Sequence, residues 1–172
     1  MSLKAFAAKI FANRVAKRTK KWVANPVRAQ ERVFRELITT AQSTEFGKDH
    51  NFANIHSHED FVQSVPIRDY EELKGYVGKI IAGADDVLWP GKPLYYAKTS
   101  GTTSGVKYIP ISKESMPAHI QAARDALLNY IHQTGNADFV KGKQIFLQGS
   151  PILDKKGDST FGRLSGIVAH YV

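Results

Sequence analysis

Between Lys98 and Ser112 the sequence runs KTSGTTSGVKYIPIS. Thr99, Ser100, Thr102, Thr103 and Ser104 put five hydroxyls, and Gly101 and Gly105 two glycines, into seven consecutive residues. Lys98 and Lys107 flank them with positive charge. Hydroxyls and free backbone N–H groups donate to oxygen, glycine lets the backbone come close to a ligand, and a nearby ammonium offsets negative charge. That donor set suits a polyphosphate, so the chemistry it points to is nucleotide binding. A Walker A loop is excluded by counting, because it needs four residues between its glycines and Lys-Ser/Thr directly after the second. Here three residues separate Gly101 from Gly105, and Val106 precedes Lys107. On composition alone, an ordinary Ser/Thr/Gly turn between two strands accounts for the stretch equally well.

Other chemistry has less support. The chain has no cysteine, which excludes disulfides, thiolate metal sites and a cysteine nucleophile. His56 and His58 have no third ligand nearby in the sequence, and the adjacent carboxylates Asp85 and Asp86 read as a solvated acidic loop, so no metal site is expected. His50 reads as a surface or hydrogen-bonding loop residue, and His119 and His132 have no evident partners.

The net charge of +8 raises the question of nucleic acid, but its distribution answers it. Residues 1–30 hold eight of the 24 basic residues and no acid; after them sixteen basic residues balance all 16 acids. Basicity therefore belongs to one segment, no nucleic-acid partner is expected, and the Ser/Thr/Gly stretch owes nothing to a general positive field. With 42% hydrophobic and 23% charged residues, and with no apolar run long enough to span a bilayer, a cytoplasmic location is the default expectation.

The elements that would position the stretch follow from periodicity. Leu3, Phe6, Ala7, Ile10, Phe11 and Val15 fall at helical spacing among basic residues, predicting a basic amphipathic helix over residues 3–22. Such a helix can lie on an anionic membrane, bind RNA or serve as a presequence, but docking against its own domain is the favoured reading. Asn25-Pro26 opens a second helix with Val27, Val33, Phe34, Leu37, Ile38 and Ala41 as its apolar face, and Gly47 reads as the turn that follows. Ser57 with Asp60, and Asp69 with Glu72, form capping-box patterns for two further helices, the second ending near Gly83. Leu94 to Ala97 predicts the strand entering the loop and Lys107 to Ile111 the strand leaving it, with Ser112 capping a helix over residues 113–133. Met116, Ile120, Ala123, Leu127, Leu128 and Ile131 are its expected buried side. Gln144 to Gln148 predicts another strand, residues 154–158 a charged turn and residues 162–166 a flexible link. The apolar close from Ile167 to Val172 reads as a chain interrupted within a domain.

Four blocks in order, STEFGKDHNF at 43–52, VPIRDYEELKGYV at 65–77, GADDVLWPGKP at 83–93 and AKTSGTTSGVKYIPIS at 97–112, resemble the N-terminal part of the auxin-responsive acyl-acid amido synthetase family. That family is grouped with the adenylate-forming enzymes, luciferases and acyl-coenzyme A synthetases among them. The resemblance covers residues 30–172 and leaves the basic helix out. The wider group's loop, Thr-Ser-Gly-Thr-Thr-Gly-x-Pro-Lys, is matched at Thr99, Ser100, Gly101, Thr102, Thr103 and Lys107; Ser104 replaces its glycine, with Gly105 next, and Val106 its proline.

The resemblance implies that residues 98–105 hold the β- and γ-phosphates of ATP with Mg2+, and that Lys107 is the catalytic candidate offsetting charge on the leaving pyrophosphate. A carboxylic acid would attack the α-phosphorus to give acyl-AMP, and an amino-acid amine would then form the amide. Arg124 and Tyr130, on the helix after the loop, become candidates for the acid-binding wall. The fold expected is α/β, helix-rich in its first half and then short strands and helices. It would comprise a basic helix over residues 1–24 and an incomplete adenylation domain over residues 25–172, inactive alone because the adenine and ribose motifs lie elsewhere in the family. The rival reading is a non-catalytic interaction or membrane-docking module in which the basic helix carries the function and the loop is a turn.

Overall fold

The computed structural model of the protein describes residues 2–99 and 105–172. In chain order the helices are α1 (Leu3–Val23), α2 (Pro26–Ala41), α3 (Glu45–Asp49), α4 (His58–Ser64) and α5 (Tyr70–Ile81). The strands β1 (Tyr95–Lys98) and β2 (Tyr108–Ile111) follow, then α6 (Ser115–Thr134), β3 (Asp154–Lys156), β4 (Ser159–Gly162) and α7 (Leu164–Tyr171). Two compact units separate: residues 1–29 with 114–148, and residues 30–113 with 149–172.

In the first unit α1 lies against α6. Ser2 opens α1, its hydroxyl accepting the Ala5 N–H at 3.3 Å. Ala5 and Ala12 are buried against Ile131 and Ala137, with Ala8, Leu128 and Phe139 around them. Small side chains on α1 allow close approach of the two helices, so the buried stripe is alanine. The sequence expectation of a Leu3, Phe6, Ile10 and Phe11 core stripe is corrected here: all four are exposed, and of the expected face Val15 is buried. Arg18 pairs with Asp125, and His132 Nδ1 meets Asn13 Oδ1 at 2.9 Å, tying α6 to α1. The α6 helix begins at Ser115 after Glu114, with no side-chain cap, rather than being capped by Ser112. Of its expected buried face, Met116 and Ile131 are fully buried and Leu127 is exposed. Residues 144–148, expected as a strand, take no regular structure; Ile145 and Leu147 are exposed, since among the described residues no strand pairs with them.

In the second unit Ile38 and Ala41 of α2 pack against Phe52 and Ile55, with Phe34, Phe46 and Trp89 around them. Val27, Val33 and Leu37, expected on the same face, are exposed. Gly47 is not a turn residue: it sits buried within α3, where an added Cβ would lie 2.1 Å from the Ala41 carbonyl oxygen. The fully buried Thr44 explains the tightness, its hydroxyl donating to Ala41 O at 2.7 Å and accepting the Gly47 N–H at 3.0 Å. His50 is buried too, stacked on Phe46 at 4.0 Å between ring centroids, with Nδ1 2.8 Å from the Phe46 carbonyl. Both expected capping boxes form, Ser57 with Asp60 on α4 and Asp69 with Glu72 on α5. Gly83 takes φ +104 just past α5, a conformation that favours glycine.

The sheet has the order β2-β1-β4-β3 among the described residues. The central strand β1 pairs antiparallel with β2 and parallel with β4, which places Tyr96 beside Phe161. Both faces of β1 are covered, and Tyr96 and Ala97 are buried. Pro110 sits in β2, at the sheet edge, where its missing N–H costs no ladder bond on the open side. The charged turn expected at residues 154–158 is instead the hairpin β3–β4, turning at Gly157 with φ +58. The flexible link expected at residues 162–166 is corrected as well: Gly162 ends β4, and Gly166 lies buried in α7 against the Ser150 carbonyl.

Candidate functional site

The two strands flanking the Ser/Thr/Gly stretch form an antiparallel hairpin with Tyr95 opposite Ile111 and Lys98 opposite Tyr108. Just beyond the last pair, the Thr99 N–H donates to the Lys107 carbonyl at 3.0 Å and draws the two ends of the loop together. Gly105 has φ +81 with open space around it, so its need for glycine is conformational rather than steric. Ser100, Gly101, Thr102, Thr103 and Ser104 lie outside the described residues.

The base of this hairpin is built from aromatic packing. Tyr96 stacks on Phe161 at 4.9 Å, Tyr108 meets the same ring edge-on at 5.3 Å, and both belong to a cluster with Ile80 and Val87. The Tyr96 hydroxyl donates to the Ile80 carbonyl at 3.1 Å, fastening β1 to α5. Burial pushes the Tyr96 phenol above its ordinary range, opposed by a hydrogen bond with Ser159, so it remains a neutral donor at physiological pH.

Each lysine of the loop has a partner that sequence reasoning missed. Lys98 pairs with the exposed Asp154 of β3. Lys107 lies over the ring of Tyr70, 5.4 Å from its centroid, a cation–π contact of about 0.5–1 kcal/mol at a partly exposed site. Tyr70, the first residue of α5, also accepts the Tyr108 N–H on its hydroxyl at 2.8 Å, so one side chain holds both the start of β2 and the lysine preceding it. In the sequence Tyr70 reads only as an apolar helix position and Asp154 only as part of a charged turn. Each meets its partner across dozens of residues, which no local pattern records.

The hairpin thus brings together Lys98, Thr99, Gly105 and Lys107. Arg124 and Tyr130 belong to the other unit. Arg124 is exposed with its Nε 3.6 Å from Asp125, and Tyr130 is half exposed with its ring 6.0 Å from that of Phe139. Among the described residues no group of three or more His, Asp or Glu side chains converges as a metal site. Asp85 pairs with Lys92 at 3.7 Å, and Asp86 accepts the Gly91 N–H at 2.7 Å, so these acids brace their own turn.

Residues 15–168 match the GH3 family N-terminal domain. The chain belongs to the GH3 family. That bears out the resemblance carried by the four sequence blocks. Among relatives, indole-3-acetic acid-amido synthetase GH3.2 of Arabidopsis thaliana is 29% identical over 94 residues, which are 54% of this chain and 17% of that protein. Two solved structures of the GH3.15 acyl acid amido synthetase share the fold at 18% identity. One has a TM-score of 0.77 and covers 90% of this chain; the other, in complex with 2,4-DB, has 0.79 and covers 93%. The chain spans 28% of the length of each of those structures. The expected α/β fold of a GH3 N-terminal domain is therefore borne out.

Proposed function

We propose that this GH3 chain carries the pyrophosphate-holding loop of a ligase that activates a carboxylic acid as acyl-AMP and transfers it to an amino acid. The observation that carries the reading is the hairpin itself. Its hydroxyl- and glycine-rich loop is pinned at both ends by the Thr99–Lys107 hydrogen bond, and the two lysines sit at its base. Positioned donors around a charged leaving group are the main contribution a protein makes to this type of chemistry, and the hydrogen bond at the base of the loop holds its two ends together.

The donor set fits ATP phosphates: hydroxyls and N–H groups from residues 99–105, with Lys98 and Lys107 for charge. Mg2+, which keeps several waters and takes phosphate oxygens, would sit among the phosphates and loop hydroxyls without a carboxylate cage. When bound, the nucleotide would supply the electrophilic α-phosphorus and the adenylyl group, and the metal charge compensation for the leaving pyrophosphate. The chain's own residues bind the departing pyrophosphate and neutralise it.

Because the chain spans a minority of its relatives' length, the whole reaction is proposed for a longer protein and not for these residues alone. Titrating the chain with pyrophosphate and Mg2+ while following 31P line widths tests the loop. Saturable broadening that is lost in Lys107→Ala and in Thr102→Ala is the expected result, and broadening indifferent to both would return the loop to an ordinary turn. Acid-dependent ATP–pyrophosphate exchange catalysed by the 172-residue chain would overturn the division of labour.

A further inference from the structure

Because α1 docks against α6 through its smallest side chains, its largest ones are left outside. Ala5 and Ala12 are buried in that contact, whereas Leu3, Phe6 and Ile10 are 83%, 50% and 52% exposed. Along the helix these three continue into Arg14, Lys17 and Lys21, each step being three or four residues, so all six stand on one stripe turned away from the alanines. The three cations are exposed and form no ion pair among the described residues; Arg18, beside the stripe, is the basic side chain of α1 that Asp125 holds. Residues 1–30 contain no acid that could offset the charge from within the helix or its flank. The outer face of α1 is thus apolar in its first half and cationic in its second.

A second copy of the chain would bring like charges together along this face, and RNA would neutralise the cations while leaving Leu3, Phe6 and Ile10 in water. An anionic bilayer surface satisfies both halves. The three apolar side chains enter the boundary between headgroups and acyl chains, and the arginine and lysines reach headgroup oxygens with their methylene stems against the apolar layer. We infer that the outer face of α1 is a docking surface for anionic lipid bilayers. No helix among the described residues is long and apolar enough to cross a membrane, and α1 meets the lipid lying in its surface plane. Since the alanine stripe is turned the other way, docking leaves the contact with α6 intact. Three inserted side chains hold weakly and the cations add the second attraction, so binding is reversible and salt-sensitive. Leu3, Phe6 and Ile10 precede the residues matched to the GH3 domain, which makes the apolar half a property of this chain rather than of the family match.

Co-sedimentation of the whole chain with vesicles tests the inference, using phosphatidylcholine alone and phosphatidylcholine mixed with phosphatidylserine. Saturable binding to the mixed vesicles is expected, roughly tenfold or more above binding to phosphatidylcholine, and it should fall steeply as salt is raised from about 0.1 M to about 1 M. Replacing Lys17 and Lys21 together by Gln should weaken it by roughly twentyfold, about a factor of five for each charge removed from the surface. Phe6→Gln with Ile10→Gln should weaken it by roughly tenfold or more. All four positions are exposed and glutamine is a good helix former, so circular dichroism should show the variants folded like the parent. The inference is overturned if both vesicle types bind alike, or if either pair of substitutions leaves binding unchanged in a folded protein. It is equally overturned if the mixed vesicles are not bound while polyuridylate is, with an affinity indifferent to Phe6 and Ile10, which would make the face a nucleic-acid surface. A dimer in sedimentation equilibrium that is lost with Phe6→Gln and Ile10→Gln, without vesicle binding, would assign the face to a second copy and overturn it too.

Discussion

Lys98 is the residue at which the candidate site is most open to measurement. Its ammonium is engaged with Asp154, whose side chain is 74% exposed, and an ion pair of that kind contributes about 0–1 kcal/mol. A phosphate arriving at the loop competes with that carboxylate for the same charge. Asp154→Asn keeps the shape and removes the competitor, so pyrophosphate affinity should rise by up to about fivefold at low salt. Isothermal titration of both proteins in matched buffer would read the change, and unchanged or weaker binding would mean that Lys98 does not reach the ligand. Tyr70 plays the opposite part for Lys107, holding the lysine against a ring that offers partial negative charge without consuming a hydrogen-bond donor.

At the scale of elements, α4 illustrates how much rests on a single cap. Asp60 accepts the N–H groups of His56 and Ser57, both at 2.9 Å, while its own N–H donates to the Ser57 hydroxyl at 3.1 Å. The hydrogen bond from the His56 backbone, followed by those from Ser57, holds its carboxyl below the ordinary aspartate range. A depressed folded pKa contributes stability that is complete above the unfolded value, near 4, and is lost as pH falls through the folded value. Acidification into that window should loosen α4. In Asp60→Ala the acid limb of the urea-midpoint profile should be shallower, and superimposable profiles would show that the cap is idle.

The same helix explains what could be read in advance. Both capping boxes, the start of α2 at Pro26 and the hairpin around the loop depend on residues within a few positions of one another, so their patterns are visible in the sequence. The buried face of α1 is not of that kind. Leu3, Phe6 and Ile10 have the greater hydrophobicity, yet Ala5 and Ala12 are inside, because α6 selects the stripe it can approach most closely. The β3–β4 hairpin escaped for a related reason: Asp154-Lys155-Lys156 is all polar and exposed, and its extended state is set by pairing with β4. Of the candidate site, the hairpin that carries Lys98, Thr99, Gly105 and Lys107 was legible from the strands on either side of the loop, whereas the contacts of Tyr70 and Asp154 with the two lysines required the fold.

For the whole molecule, the first unit is assembled from two stretches that flank most of the second. Ala12 is buried in its core. Ala12→Asp places a carboxylate there with no partner in that cluster, a change of the kind that costs several kcal/mol. Amide exchange in α6 should accelerate strongly while the paired amides of β1 keep their protection. Equal loss in both would show that the two units stand or fall together.

The ion pair between Arg18 and Asp125 joins residues 107 positions apart, and that separation governs the order of events as the chain is made. The basic helix leaves the ribosome before α6, which buries its alanine stripe and is synthesised only after β1 and β2. β1 likewise waits for β4 before its second edge is paired. Contacts so distant in sequence form slowly, because the intervening chain must be closed into a loop first. For that interval α1 displays Ala5 and Ala12 together with Leu3, Phe6 and Ile10, making the nascent chain, rather than the folded protein, the form most exposed to capture by chaperones or by its own neighbours.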